Sequence, residues 1–388
     1  MNAVTSRIST LRRPSEVDGK PSPGVAWIRP VGLYVASVAV ALFLVAMLVL
    51  AVGHSPWSVF SALYTGSVSN AGTIGQTLDA SIPVLLVALG MLVAVRAGMF
   101  NIGQTGQLIM GGMAAAFIAL KLHGPGPLVL LLALVCSILG GAVWAGICAV
   151  LRIWRNIDVV ISTLLLTYVA IQILAYVVST QSLLQEPTPP GGEAGGLPQS
   201  ALLPGNVRLP HPGQYPSFGV SSGILISVGA LVVFGVLLSR SRWGMRLRMV
   251  GANPVASRRF GVRVAGIAGG ALIISGAFAG LAGGVLLTGS AFQIQPGFDN
   301  NFGNDGLLAA LVCRGQAWAL LPVSILFAII RTGGNYLLST GVPNYLGQVL
   351  EGLLVLAIVF PPVFLERREW SARLRAARAA VLRTEAGT

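Results

Sequence analysis

Lysine occurs only at Lys20 and Lys121, and neither follows a glycine-rich loop of the form GxxxxGK[ST]. Without that loop the chain has no Walker-type site for ATP, because the backbone cradle and the phosphate-gripping lysine are both missing. Histidine is nearly as scarce. His54, His123 and His211 lie near the ends of apolar runs or outside them, which leaves no HExxH or histidine-cluster metal site. No GxSxG elbow is present. Cys136, Cys148 and Cys313 sit in or beside apolar runs, form no CxxC motif and are odd in number, which argues against a disulfide framework. Charge is the last deficit: 10% of residues are charged and 54% hydrophobic, against roughly 25% charged in a soluble domain. With a mean hydropathy of +0.80, the composition is that of an all-α polytopic membrane protein.

The charge that is present follows topology. Residues 1–30 carry Arg7, Arg12, Arg13, Lys20 and Arg29 among several prolines and read as a disordered basic cytoplasmic arm. Val31–Gly53 is long enough to cross a hydrocarbon layer of ~30 Å and reads as a retained first transmembrane helix. Further apolar runs lie near 77–95, 106–121, 128–151, 157–179, 219–239, 265–288, 305–313, 317–333 and 345–365, giving about ten crossings. Arg152 and Arg155, the seven arginines of 240–264 and the six of the basic tail 366–388 belong inside. Segment 180–218, with Glu186, Glu193 and Arg208, reads as an external loop. Ten alternating crossings satisfy every one of these placements. Segment 305–313 would be a half-helix, since it spans only about 13 Å. The halves 31–179 and 219–365 then run in opposite orientations, as two inverted five-helix repeats with broken or short central helices. Topology and anionic lipid account for most of the net charge of +13, so nucleic acid is not the expected partner.

Two polar, glycine-rich breaks interrupt the apolar pattern. Asn101-Ile102-Gly103-Gln104-Thr105-Gly106 recurs as Asn301-Phe302-Gly303-Asn304-Asp305-Gly306, each at the start of the third helix of its half. Irregular backbone at membrane depth must be wrapped in protein or line a wet cavity, and paired breaks mark a central site. Asn101, Gln104, Gln107, Asn301, Asn304 and Asp305 are therefore placed near a solute path, with Phe302 available to stack. Gly103, Gly106, Gly303 and Gly306 would let the backbone bend. Close helix packing by the glycines and capping by Asp305 are the alternatives. Among other ionisable positions, Arg96, Lys121, Asp158 and Arg314 fall at helix ends, where they snorkel or cap, and Glu351 is offered as a partner for Arg331. The long cytoplasmic loop 240–264, with a helix-start signal at Asn253-Pro254, reads as a short amphipathic helix on the membrane surface or docked into a partner.

VRAGMFNIGQTGQLIMGG at 95–112 resembles a signature of bacterial ABC-importer permeases of the branched-chain amino acid, ribose and nucleoside class. The likeness is greatest to those serving basic-membrane-lipoprotein-type nucleoside receptors. NIDVVISTLLLTYVA at 156–170, GANPVASRRFGVRVAGIAGGALIISGAFAGLAGG at 251–284 and ILFAIIRTGGNYLLSTGVPNYLGQVLEGLLVL at 325–356 resemble further blocks in the same order. Departures fall at Asp158, Thr167, Arg314–Ala317 and Glu351. The resemblance implies a multi-pass subunit of the bacterial plasma membrane, with both termini cytoplasmic, that moves a small polar solute inward, a nucleoside first among the options. A monosaccharide or branched-chain amino acid is the alternative. It further implies a second permease subunit, homo- or heteromeric, an external substrate-binding lipoprotein and a cytoplasmic ABC ATPase. ATP and magnesium would reside in that ATPase, with no cofactor or metal in this chain. Arg246, Asn253, Pro254, Arg258, Arg259 and Phe260 become the ATPase-coupling element. The rivals from other classes are a stand-alone ion-coupled carrier, dependent on Asp79, Asp305 or Glu351, and a membrane scaffold that moves nothing.

Overall fold

A computed structural model describes residues 37–187 apart from 38, 41 and 54, then 198–211 and 218–339, and the positions 349, 352, 353 and 356. The basic arm, the basic tail, Glu351 and most of the run 345–365 lie outside the described residues. The chain divides into two compact units. In Met1–Phe43 with Leu356–Thr388, the described residues 37, 39, 40, 42, 43 and 356 are helical. The second unit, Leu44–Val355, holds the rest of the described residues.

The helices are α1 (Leu42–Ala51), α2 (Pro56–Ser67), α3 (Ala71–Arg96), α4 (Gln104–Lys121), α5 (Gly126–Arg155) and α6 (Val159–Val178). After the central loop come α7 (Gly223–Arg240), α8 (Arg242–Ala252), α9 (Pro254–Arg259), α10 (Val264–Leu286), α11 (Phe302–Val312) and α12 (Leu320–Ser339). A π-helical turn, Leu287–Ala291, extends α10. Among the described residues there is no strand, only an isolated bridge between Gln185 and Ser200. Six helices are long and apolar enough to cross a membrane, seven if the bent pair α1–α2 counts as one span. The protein is thus multi-pass. Helices α4 and α11, which follow the two breaks, fall outside that set; α11 has only 11 residues, about 16 Å of helix.

Every apolar run that falls within the described residues is a helix, but the boundaries moved. Helix α3 starts at Ala71 rather than near 77, because Asn70 and Thr73 form a reciprocal capping box that holds the first turn. Helix α2 was not anticipated. It opens with Pro56 in its first turn and keeps Val59, Ala62 and Gly66 buried between more polar positions. The loop 240–264 holds two short helices rather than one. Ser241 caps α8 through the Gly244 amide (3.0 Å) and Asn253 caps α9 through that of Ala256 (2.9 Å).

Helices α3 and α10 form the centre. Their most apolar stretches are 78% and 72% buried, against 28–33% for α5, α6 and α7, whose outer faces carry the lipid-facing leucines, isoleucines and valines. Helices α4 and α5 pack on α10, while α11 and α12 pack on α3, and α3 packs on α10. The α4–α5–α10 contact is made by glycines: a Cβ at Gly141 would strike Gly276 and Gly280, and one at Gly111 would strike Gly280. Without a hydrophobic drive between helices in lipid, such close backbone approach supplies the packing.

The bundle has two chemically distinct ends. One gathers Arg152, Arg155, α8 and α9. Here the half-buried Arg96 donates through its guanidinium to the carbonyls of Leu238 (2.9 Å) and Gly315, tying α3 to the ends of α7 and α11. At the other end the segment 198–211 is stitched to the end of α10. The Ser200, Leu203 and Leu209 amides donate to Ile294, Phe292 and Thr288 at 2.8–2.9 Å.

Candidate functional site

The first break begins where α3 stops. Ala97, Gly98 and Met99 close α3 in a Schellman turn: the Gly98 amide donates to Val95 O and the Met99 amide to Ala94 O, both at 2.9 Å. Gly98 takes φ +74°, which calls for glycine, and it packs tightly against Gly251 at the end of α8, where a Cβ would lie 3.2 Å from the Gly251 Cα. Beyond it, Asn101 turns the chain by accepting from the Gly103 amide (3.1 Å). The Asn101 and Gln107 amides exchange two bonds, at 2.9 and 3.1 Å, and Asn101 Nδ2 also reaches Ser275 Oγ on α10 (3.0 Å). Gln104 Nε2 donates to the same hydroxyl (3.0 Å) and to Val87 O on α3 (3.2 Å). All four side chains are buried, and the cluster ties α4 to both central helices. Two acceptors in it are unspent among the described residues: Gln104 Oε1 and Thr105 Oγ1 are buried without a partner.

The second break has another local geometry. Asn300 and Asn301 both adopt left-handed backbone (φ +43° and +61°), which asparagine tolerates better than most residues, and α11 starts at Phe302. Asn301 and Asn304 are exposed, whereas Phe302, Gly303, Asp305 and Gly306 are buried. Asp305 does not cap α11. It is ion-paired with Arg331 of α12, whose guanidinium also lies 4.0 Å over the Phe302 ring. The partner offered for Arg331, Glu351, lies outside the described residues.

The two breaks meet. Gly303 lies directly against Thr105, leaving no room for a Cβ, so the N-termini of α4 and α11 converge inside the bundle. The remaining break glycines also serve contact: Gly103 and Gly106 lie on Thr163 and Thr167 of α6, and Gly306 on Val87. From the second break a cavity of about 540 Å³ opens toward the 198–211 end, lined by Gln76, Asp79, Gln293, Gln295, Asn300 and Phe302 among others. A second cavity, of about 340 Å³, lies toward the arginine-rich end between the α3–α4 turn, α5 and α9, and carries Arg152 and Arg258. The second cavity touches the start of the first break at Gly98 and Met99, and the first cavity touches the second break at Asn300 and Phe302.

The proposed coupling residues lie together at the arginine-rich end. Helix α8 buries Gly244, Leu247 and Val250 and exposes Arg246. Asn253 and Pro254 start α9, Arg258 and Arg259 end it, and Phe260 stands 77% exposed. Three participants were not singled out from the sequence. Ser275 is one of many small residues in an apolar helix. Ser221, which holds Asp79 through its amide and hydroxyl (both 2.8 Å), is 142 positions away. The link of Gly98 to Gly251 has no local signal at all.

A family model described as the branched-chain amino acid transport system/permease component matches residues 73–359. The chain is similar to the glucose ABC transporter permease protein TsgB13 of Haloferax volcanii, 28% identical with 87% of this chain and 89% of the relative covered. It is likewise similar to the guanosine ABC transporter permease protein NupP of Bacillus subtilis (29% identical, 84% and 92% covered). A third relative is the nucleoside ABC transporter permease protein NupB of Lactococcus lactis subsp. cremoris (24% identical, 81% and 86% covered). No solved structure matches the chain. Since the matched stretch takes in both breaks, both cavities and the arginine-rich loop, the chain belongs to the branched-chain amino acid transport system/permease component family.

Proposed function

We propose that this chain is the transmembrane subunit of an ATP-driven importer, carrying a small polar solute of the nucleoside or sugar type from an external receptor to the cytoplasm. The observation that carries the reading is the meeting of two broken helices inside the bundle, with a cavity on either side of them. Residues Asn101, Gln104, Gln107, Phe302, Gly303 and Asp305 form the barrier between the cavities. The unspent oxygens of Gln104 and Thr105 give it hydrogen-bonding capacity for a passing solute.

The reciprocal packing supports two inverted halves of five crossings. Contact of α4 with α10 is mirrored by α11 with α3, and contact of α5 with α10 by α12 with α3. Under this scheme the arginine-rich end is cytoplasmic and segment 198–211 external. The exposed Phe260 and the arginines of α8 and α9 would receive an ABC ATPase, in which ATP and magnesium reside. Motion of α8 would reach the first break through the Gly251–Gly98 contact, since neither backbone can yield without moving the other. An ion-coupled carrier is less well supported. Asp305, one of its three carboxylates, is already neutralised by Arg331.

The test is affinity purification of the chain from its native membrane in mild detergent. The expected outcome is a co-purifying ATPase chain bearing a P-loop, which is lost when Phe260 and Arg259 are replaced by alanine. A chain that purifies alone, and alone moves solute down an imposed ion gradient, would overturn the importer reading.

A further inference from the structure

We propose that Asp79 is the solute-recognising group of the cavity at the 198–211 end, and that it commits the pathway to uncharged, hydroxyl-bearing solutes over phosphorylated or carboxylated ones. The inference rests on the importer reading and deepens it. Gln76 and Asp79 lie one turn apart on α3 and line the same cavity. The carboxylate is fixed from one side only: Oδ1 accepts both bonds from Ser221, and among the described residues nothing bonds Oδ2. Asp79 is half-buried, so Oδ2 is an oriented acceptor offered to the cavity rather than a free surface charge.

Among the described residues no lysine or arginine lines that cavity. The two nearby arginines are committed elsewhere, and the imidazole of His211, close to Asp79, is hydrogen-bonded to the main chain. Arg331 is paired with Asp305, and Arg208 donates twice to Leu203 O (2.7 and 3.0 Å) and lies 4.5 Å over the Phe292 ring. His211 bonds Gly289 O at 3.1 Å. The remaining polar lining is the amides of Gln76, Gln293, Gln295 and Asn300 with the hydroxyl of Ser290, all of which both donate and accept. A fixed carboxylate among amides accepts O–H and N–H groups strongly and repels a phosphate or a second carboxylate. The volume of about 540 Å³ is in the range of small-molecule sites. A sugar ring, standing alone or carrying a base, meets both conditions.

The experiment uses the intact importer, purified with its ATPase and receptor and reconstituted in liposomes, and offers labelled guanosine, glucose, guanosine monophosphate and leucine in turn. Guanosine or glucose is expected to enter, and guanosine monophosphate and leucine are not; which of the first two moves separates nucleoside from free sugar. Asp79→Asn, which keeps an acceptor for Ser221 but turns the cavity-facing atom into a donor, should cut the solute moved per ATP hydrolysed about tenfold. Glu186→Gln, a carboxylate change at the same end but outside the cavity, should leave that ratio within twofold. A normal ratio in Asp79→Asn, or entry of guanosine monophosphate or leucine alone, overturns this inference and leaves the importer standing. Absence of ATP-dependent entry for all four solutes in the wild type overturns both.

Discussion

Asp305 and Arg331 are two charges held at membrane depth, and they are tolerable there only as a pair. Removing one partner strands the other. Asp305→Asn should therefore lower stability by about 3–5 kcal/mol, while the double change Asp305→Leu with Arg331→Met should recover most of it. Thermal unfolding of the two variants in detergent checks the pair. If Asp305→Asn alone unfolds like the wild type, the ion pair has no structural weight. The sequence made Asp305 and Arg331 visible as costly intramembrane residues, but not as each other's partners. They are 26 positions apart on different helices, and the sequence offered Glu351 to Arg331 instead. Arg96 is the reverse case. Its position at a helix end favoured snorkelling or capping of its own helix, yet its guanidinium is spent on two main-chain carbonyls from distant elements.

Among the elements, α10 is the most exacting, because its glycines divide into two kinds. Gly280 meets Ser137 and Gly141 of α5 with no space for a methyl group, while Gly270 has nothing within 4 Å. Gly280→Ala should push α5 away and cost about 1–3 kcal/mol by overpacking. Gly270→Ala should be neutral or stabilising by up to about 1 kcal/mol, since alanine is the better helix former. Melting temperatures in detergent that fall equally for both would refute the contact. Helices as elements were largely legible, because a span must be a long apolar run. Helix α2 escaped because only a few of its positions face the core, and the division of 240–264 into two helices turned on the single caps of Ser241 and Asn253. Both breaks were readable as polar gaps in apolar sequence. Their mutual contact at Gly303 and Thr105 was not, since it joins residues about two hundred positions apart.

At the scale of the whole unit Leu44–Val355, Arg152, Arg155 and the arginines of α8 and α9 gather at one end of the bundle and segment 198–211 lies at the other, and this follows from composition along the chain. Single cysteines placed in a background with Cys136, Cys148 and Cys313 replaced by alanine test that polarity. Arg155→Cys should react with an impermeant maleimide only from the cytoplasmic side, and Leu202→Cys, at a position 56% exposed, only from outside. Labelling of both from one side would remove the alternating arrangement. The Asp305–Arg331 pair also bears on how the chain is made. An 11-residue helix carrying an acid is a poor candidate for partition into lipid by itself, and α12 brings a largely enclosed arginine of its own. Each charge would cost about 2.5–3.5 kcal/mol at the centre of a translocon-inserted helix. The short turn between α11 and α12 lets the two charges neutralise each other before either meets hydrocarbon. These helices are accordingly expected to leave the translocon together as one hairpin, late in synthesis, after α3 and α10 have formed the wall against which they settle.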